Sequence, residues 1–528
     1  MDKSPETVIE IASYFGRIKL RKWPQYIGTG LASMTQFSIG IIMAFSAILV
    51  PQLRADASLL LSPEQQSLLV SITTAGIVLG CALSSVLLRL MGPRRLMMLQ
   101  GPPAVASWLL VALASDLRLV ICGRLLVSFL NATTLSCYTM YICEIASPQA
   151  RGLLSAAPEV FCSLGLLVGY AVGAAVHWSH MALALGLLPN VVMTAGFFWL
   201  PESPGWLTAH YCFEEAAASY RFYRGEDFPA EREMQAAMQR AEKREDRGSV
   251  ADVLRRMVRR EALVPILLVT GLFVLQILSG MLAVLSYAVT IFQISGSSVD
   301  EYLCAVILGC TRLVCNVLAS AFADRFGRKT LLIASSLVSA LALVALGGFF
   351  FAQQRSLLPP GGALGWVPIV ALILYMAAAS FGIAPVTWML LGELIPASVG
   401  MVANGAILTV WGLVYFAVLQ AFPFLTQVLG AHGTFWGFAA CCVALAVYTG
   451  LLVPETRGVE LQDVAALFRR RPTPDKKADG TQDQRLRNLY GALPQPRNAI
   501  YLENQAVIQY VRRRAESCTG DLRTPAAN

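Results

Sequence analysis

Charge is scarce in this sequence. Only 14% of its 528 residues are Asp, Glu, Lys or Arg, where a soluble domain carries about 25%. That is too little polar surface to solvate a globule of this size, so a water-soluble protein is excluded. Histidine is scarcer still, with four residues (His177, His180, His210 and His432) scattered near segment ends. No C-x-x-C pair and no Cys/His ligand spacing occurs, so neither a metal site nor a cofactor is expected. No phosphate-binding loop or other nucleotide motif is present, which excludes ATP drive. The 12 cysteines do not read as a disulfide framework. Most, such as Cys81, Cys137, Cys162 and Cys442, lie inside apolar runs, where cysteine behaves as a small buried hydrophobe.

What is abundant is hydrocarbon. Hydrophobic residues make up 56% of the chain, and the 41 glycines raise the apolar share to about 64%. A helix needs about 20 apolar residues to cross roughly 30 Å of hydrocarbon. Windows of that length give twelve candidate spans, at about 26–48, 67–88, 97–115, 119–143, 154–176, 181–200, 263–291, 303–323, 330–352, 366–391, 403–425 and 433–453. The predicted class is an all-α membrane protein with two six-helix halves, 26–200 and 263–453. A polar N-terminus (1–25), a central helical loop (201–262) and a tail (454–528), mostly disordered by composition, complete it. The N-terminal segment has no small-residue cleavage site and does not read as a signal peptide.

The net charge of +8 invites a nucleic-acid reading, but its distribution points elsewhere. About 36 of the 41 Lys and Arg residues fall in loops on one side of the predicted spans. The positive-inside rule makes that side cytoplasmic, with both termini and the central loop on it. Below it is called the basic face. The partners expected are membrane lipid and a small-molecule substrate, with no nucleic acid.

An internal repeat is visible. Gly92-Pro93-Arg94-Arg95 follows span 2 and Gly327-Arg328-Lys329 follows span 8. Glu144 ends span 4 and Glu393 ends span 10. Pro201-Glu202-Ser203 follows span 6 and Pro454-Glu455-Thr456 follows span 12. Two six-span halves related in this way are a signature of transporters that rock one half against the other.

These motifs, with Asp324-Arg325-Phe326-Gly327-Arg328-Lys329, Tyr141-Ile142-Cys143-Glu144, Gly123-Arg124, Arg151-Gly152, Ser279-Gly280 and Pro454-Glu455-Thr456-Arg457-Gly458, resemble those of the sugar porter family. That family belongs to the major facilitator superfamily, and Ala157-Pro158-Glu159 makes the chain most similar to its trehalose-transporter-like branch. The resemblance implies a major facilitator fold of twelve helices. It also implies an electrostatic latch of guanidinium–carboxylate pairs at the helix ends. Its members would be Arg124, Glu144, Arg151, Glu202, Asp324, Arg325, Arg328, Glu393, Glu455 and Arg457. Two positions depart from the family pattern: Arg89 stands where the family has Asp, and Gly400 where Glu393 would find its Arg. Glu393 is therefore expected to use another cation.

For the substrate path the resemblance implies amides and indoles, which match sugar hydroxyls and the apolar faces of the ring. Gln276, Trp388 and Trp411 stand at such positions, whereas the second glutamine is Ile277 and the following asparagine is Leu282. Two further positions are charged, Glu159 in span 5 and Arg312 in span 8. A charge in the bilayer centre costs about 2.5–3.5 kcal/mol on insertion scales, so it faces a cavity or a partner. The substrate-binding set expected is Glu159, Gln276, Ile277, Arg312, Trp388 and Trp411, with Glu159 and Arg312 facing each other across the cavity. The alternative places each charge in its own hydrated cleft. Gly165, Gly169 and Gly173 in span 5 predict close helix approach. Asn131-Ala132-Thr133 fits the glycosylation pattern but lies within span 4, so no glycan is expected there.

Proton-coupled members of the family carry an acid in span 1. Here Phe37–Phe45 has no ionisable group, which favours facilitated diffusion, and Glu159 is the one carboxylate that could carry a proton. The leading reading is a plasma-membrane uniporter for hexose or trehalose, not an enzyme. A carrier of a charged or zwitterionic solute, a proton-coupled symporter and a non-transporting sugar sensor stay open.

Overall fold

Hydrocarbon offers backbone N–H and C=O groups no partner, so a chain this apolar is confined to helices that bond internally or to closed barrels. The computed structural model describes residues 23–55, 62–147, 150–225, 228–231, 234–235, 255–296, 299–322, 327–357, 363–395 and 399–455. Among them every regular element is helical. The expected helices over 231–247 and 249–260 fall largely outside the described residues, as does the tail beyond Glu455.

Twelve passages follow one another. Span 1 is Trp23–Ala55, span 2 Pro63–Met91 and span 3 Pro93–Ala112. Span 4 is Leu117–Thr133 continued by Leu135–Ile145; span 5 is Arg151–Ala175; span 6 is Trp178–Phe197. Span 7 runs Arg260–Leu278, Met281–Ser286 and Ala288–Ser295, and span 8 is Glu301–Phe322. Span 9 is Arg328–Gln354, span 10 Val367–Leu394, span 11 Gly400–Val428 and span 12 Gly430–Leu452. Eleven are long and apolar enough to cross a bilayer by length and composition. Span 3 is the exception, because Arg94, Arg95, Gln100, Pro102 and Pro103 dilute its 20 residues. Between spans 6 and 7 the short helices Pro204–Ala209 and Phe213–Arg224 lie on the basic face.

Span 2 starts four residues earlier than its apolar window because its entry is capped. Ser62 Oγ accepts from Gln65 N at 3.2 Å, and Gln65 Oε1 accepts from Ser62 N at 3.0 Å. This reciprocal pair satisfies two donors that a helix start leaves free. On span 9 the exposed residues Leu337, Leu341 and Val344 follow helical spacing and form a lipid-facing stripe.

The first half is organised by spans 1 and 5, which pack along their length, and by spans 2 and 4. In the second half spans 9 and 12 pair in the same way. The halves meet where span 2 packs on span 11 and span 5 on span 8. Glycine sets the first of these contacts. A Cβ on Gly165 would stand 2.1 Å from the Phe37 carbonyl oxygen, and one on Gly169 or Gly173 would collide with Ala44 or Ile48. The small residues read in span 5 thus seat the backbone of span 1.

Two helix breaks aim side chains at the centre. In span 7, Gly280 takes φ +87°, a conformation that disfavours side chains, and a Cβ there would stand 2.4 Å from the Phe438 ring. In span 10 a π-turn, Ala379–Ile383, lets Gly382 seat against Ser335. Gln276 lies just before the first break and Trp388 just after the second.

Overpacking a tight helix contact costs about 1–3 kcal/mol. Gly165→Ala is therefore expected to lower the Tm of the detergent-purified protein measurably. Gly348→Ala, whose Cβ would meet nothing within 4 Å, should leave it unchanged.

Candidate functional site

Spans 5 and 8 cross the boundary between the halves, and each brings a charge to mid-depth. Arg312 Nη2 donates to Glu159 Oε1 at 2.7 Å. The guanidinium is buried, with 4% of its side chain exposed, against 35% for Glu159. The pair does not stand alone. Arg312 Nε donates to Ser163 Oγ at 3.3 Å, and Asn316 Nδ2 donates to Ser163 Oγ at 2.7 Å and to Glu159 Oε1 at 3.4 Å. One turn apart on each helix, Glu159 with Ser163 and Arg312 with Asn316 make a four-residue network across the halves. Glycine allows the approach here too, since a Cβ on Gly309 would stand 3.2 Å from Leu167 Cα.

These residues border a central cavity between the two halves. Gln276, Trp388, Trp411, Glu159 and Arg312 all line it, so five of the six expected substrate residues come together. The indoles of Trp388 and Trp411 meet edge-on at 6.0 Å between ring centroids, and Tyr415 continues the wall 5.5 Å beyond Trp411. Gln276 Oε1 is buried without a hydrogen-bond partner. Ile277 differs from expectation: it is 1% exposed, belongs to the apolar core and does not line the cavity. Successive helix residues point about 100° apart, so when Gln276 faces the cavity its neighbour turns into the packing. Leu282 lines the cavity as an apolar residue.

Sequence reasoning missed several lining residues: Gln36 of span 1, Thr73 of span 2, Ser128 and Asn131 of span 4, and Tyr415 of span 11. The signal available was an amide or hydroxyl inside a span. That signal is weak, because such groups often bond to their own helix, as Thr73 Oγ1 does to the Val70 carbonyl at 2.9 Å.

The cavity is unevenly exposed along its depth. Toward the basic face Trp388 is 38% exposed, whereas Ser46, Ser286 and Tyr415 on the far side are 2–3% exposed. On the far side the halves are joined by Tyr170 OH to the Leu285 carbonyl at 2.5 Å, Ser67 Oγ to the Gln420 carbonyl at 2.8 Å, and Ser71 Oγ to Gln420 Oε1 at 2.6 Å. At the basic ends of spans 5, 10 and 11, a Cβ on Gly152, Gly392 or Gly405 would meet nothing within 4 Å among the described residues. Among the described residues, the hydrogen bonds that close the cavity between the halves thus lie on the face opposite the basic one.

Several hydrogen bonds of the latch residues on the basic face lie within one half. Glu202 accepts from the backbone N–H groups of Arg94, Arg95 and Ser203 at 2.8, 3.3 and 3.0 Å. Glu455 accepts from those of Arg328 and Lys329 at 3.0 and 3.3 Å. Each carboxylate therefore caps the start of its half's third helix, where free N–H groups and the helix dipole favour an anion. Gly92 and Gly327 leave the room, since a Cβ at either would stand 3.0 or 2.7 Å from the carboxylate oxygen. Burial pushes the Glu202 carboxyl above its ordinary range, and the backbone donors and Arg94 pull it part of the way back. Glu144 accepts from Ser203 Oγ and from Gly205 N. Glu393 finds Arg328 Nε at 3.4 Å, the substitute cation that Gly400 made necessary. Asp324, Arg325, Arg457 and the side chains of Arg89 and Arg151 lie outside the described residues.

Arg124 is a correction. Span 4 enters from the face opposite the basic one, so Arg124, near its start, is far from that latch. Its Nε donates to the Leu69 carbonyl at 2.9 Å and its Nη2 to Ser46 Oγ at 2.6 Å, with the guanidinium 5.4 Å from the Phe45 ring centroid. Carbonyl, hydroxyl and ring face satisfy the cation in place of a carboxylate.

The unequal burial of the central pair gives an ordered expectation. Glu159→Gln strands a buried guanidinium, which costs about 3–5 kcal/mol. Arg312→Gln leaves a carboxylate that water reaches, and costs less. Tm values should therefore rank E159Q lowest, with the double variant E159Q/R312Q recovering part of the loss. Equal single losses that add in the double variant would contradict the coupling.

Comparison with known proteins gives a consistent placement. Residues 25–468 match the family model described as "Sugar (and other) transporter". The facilitated trehalose transporter Tret1 of Drosophila mojavensis is 30% identical over 445 residues, which are 84% of this chain and 51% of that protein. The chain thus spans about half the length of the Drosophila relatives it matches. Tret1 of Culex quinquefasciatus is 31% identical over 397 residues, 74% of each chain. Among solved structures, the inward-open conformation of the xylose transporter XylE from E. coli superposes with a TM-score of 0.69 at 22% identity, over 84% of this chain and 99% of that one. XylE bound to 6-bromo-6-deoxy-D-glucose gives 0.70 at 22% identity. At that identity the likeness establishes the fold, the twelve-helix major facilitator fold. With twelve passages, two repeated halves and a family match over nearly the whole membrane region, the chain is a multi-pass membrane protein that belongs to the sugar (and other) transporter family.

Proposed function

We propose that the protein carries a neutral sugar, hexose or trehalose, across the plasma membrane by facilitated diffusion. The observation that carries this reading is the cavity's lining. Two indoles and a phenol form an apolar wall that suits the face of a sugar ring, and beside them Gln276 presents a buried, unpartnered amide oxygen. The two charges at the cavity compensate each other at 2.7 Å, so the site offers no net charge to an ionic solute. That weighs against a carrier of charged or zwitterionic compounds.

Uniport is supported by span 1, whose cavity-lining residues Gln36, Ile39, Ile42, Met43 and Ser46 include no ionisable side chain. The orientation proposed puts the basic face in the cytoplasm. The hydrogen bonds that close the cavity then lie on the outer side. Access alternates when the far-side contacts of Tyr170, Ser67 and Ser71 release and the halves close on the basic face.

The test is uptake of labelled trehalose and glucose into proteoliposomes, with equal pH on both sides and an ionophore present. Saturable uptake with counterflow, unaffected by an imposed pH gradient, is the expected result. Uptake driven only by a proton gradient would replace uniport by symport. No uptake of either sugar by folded protein would end the sugar reading.

A further inference from the structure

Four polar atoms at the cavity are buried and have no hydrogen-bond partner. They are Ser128 Oγ and Asn131 Oδ1 from span 4, Gln276 Oε1 from span 7 and Arg312 Nη1 from span 8. Their residues are 1%, 1%, 7% and 3% exposed. Buried polar groups in native proteins are almost always satisfied. Other unpartnered atoms, such as Thr29 Oγ1 and Ser339 Oγ, are scattered through the described residues, but these four gather around one cavity, where a ligand can supply the missing bonds.

We propose that the first half of the protein holds the polar side of the substrate through Asn131 and Ser128, opposite Gln276. This rests on the sugar reading above and names residues that neither the family motifs nor the charged pair would have supplied. Span 4 presents the two at spacing i, i+3, on one face of the helix. Asn131 Nδ2 donates to the Val127 carbonyl at 2.8 Å, which fixes the amide and leaves its oxygen as the free end. The helix breaks three residues later, where Thr134 Oγ1 donates to the Asn131 carbonyl at 2.9 Å. That ties the break to the residue that binds.

The chemistry asked of the ligand is specific. Two amide oxygens accept only, a guanidinium N–H donates only, and the serine hydroxyl does either. A ligand that fills all four must present both donors and an acceptor, and a polyhydroxylated, uncharged molecule does so with every hydroxyl. The placement also balances a loss. Ile277 has turned into the core and Leu282 is apolar, so the second half keeps Gln276 and the indoles but lacks further amides. Asn131 and Ser128 restore the polar contacts from the opposite side, so the sugar lies with its apolar face on the second half and its hydroxyls toward the first.

The experiment compares wild type, Asn131→Leu and Ser128→Ala in proteoliposomes. It measures zero-trans uptake of glucose and trehalose, with the monodeoxyglucoses as competitors. Losing one hydrogen bond to a buried partner should raise the KM of Asn131→Leu about tenfold, with Vmax little changed. One monodeoxyglucose should compete about tenfold more weakly than glucose against wild type and equally well against the variant, the other deoxy penalties staying in place. A packing role for Asn131 would shift all competitors together, and that result would overturn the proposal. So would unchanged KM and unchanged deoxy penalties in both variants while wild type transports sugar, which would leave the sugar reading intact. If wild type takes up neither sugar, both fall. Should Asn131→Leu not fold, Ser128→Ala decides by the same loss of a single deoxy penalty.

Discussion

A polar group inside a bilayer must find its partner within the protein, and the architecture follows from how each one does. Arg312 is the most demanding case, since a guanidinium at mid-depth has no water to retreat to. Its counter-ion comes from the opposite half, Ser163 Oγ accepts from its Nε, and Asn316 braces Ser163 and Glu159 in turn. The halves are therefore tied by electrostatics as well as by the packing of span 5 on span 8. The contacts nearer the far side, from Tyr170, Ser67 and Ser71, are neutral hydrogen bonds. Such bonds are worth about 0.5–1.5 kcal/mol each, small enough to exchange between states.

The same demand is met twice over at the basic face. Glu202 and Glu455 occupy equivalent places in the two halves and cap equivalent helices, each beside a glycine that leaves room for the carboxylate. The neighbouring basic side chains complete the symmetry. Arg94 Nε donates to the Phe197 carbonyl at 2.9 Å and Lys329 Nζ to the Gly450 carbonyl at 2.7 Å, so each cation closes the end of its half's sixth helix. These bonds tie the start of each half's third helix to the end of its sixth.

The membrane passages, the repeat and the pairing of two intramembrane charges were legible because each rests on a rule with few exceptions. Hydrocarbon thickness sets span length, and a charge at mid-depth faces a cavity or a partner. What escaped was the direction in which individual side chains point. Ile277 and Gln276 are neighbours in sequence, yet one enters the core and the other the cavity, a choice fixed by the packing of span 7 against spans 11 and 12. Asn131 read as part of a glycosylation pattern because nothing in its sequence neighbourhood shows that span 4 turns that face inward. Arg124 was misplaced for a related reason. Its residue type suggested a latch, but its position near the start of an inward-running helix puts it on the far side, where a carbonyl, a hydroxyl and a ring satisfy it.

The cavity is as asymmetric as the capping network is symmetric. Its aromatics, the two indoles and Tyr415, all come from the second half beside Gln276, Ser286 and Arg312, while the first half sets Gln36, Thr73, Ser128 and Asn131 among Ile39, Ile42, Met43 and Ile77. An apolar ring face and a set of hydroxyls make opposite demands on a protein surface, and two halves built from a repeated plan can meet both only if their linings diverge. A ligand held between unlike walls contacts both halves at once, so its binding draws them together over the cavity. On the proposed reading no ion is needed for that step. Closure on the basic face follows when the ligand's contacts to both walls outweigh the hydrogen bonds given up on the far side. Those bonds are few and neutral, so a neutral ligand with several hydroxyls has enough contacts to shift the balance in either direction.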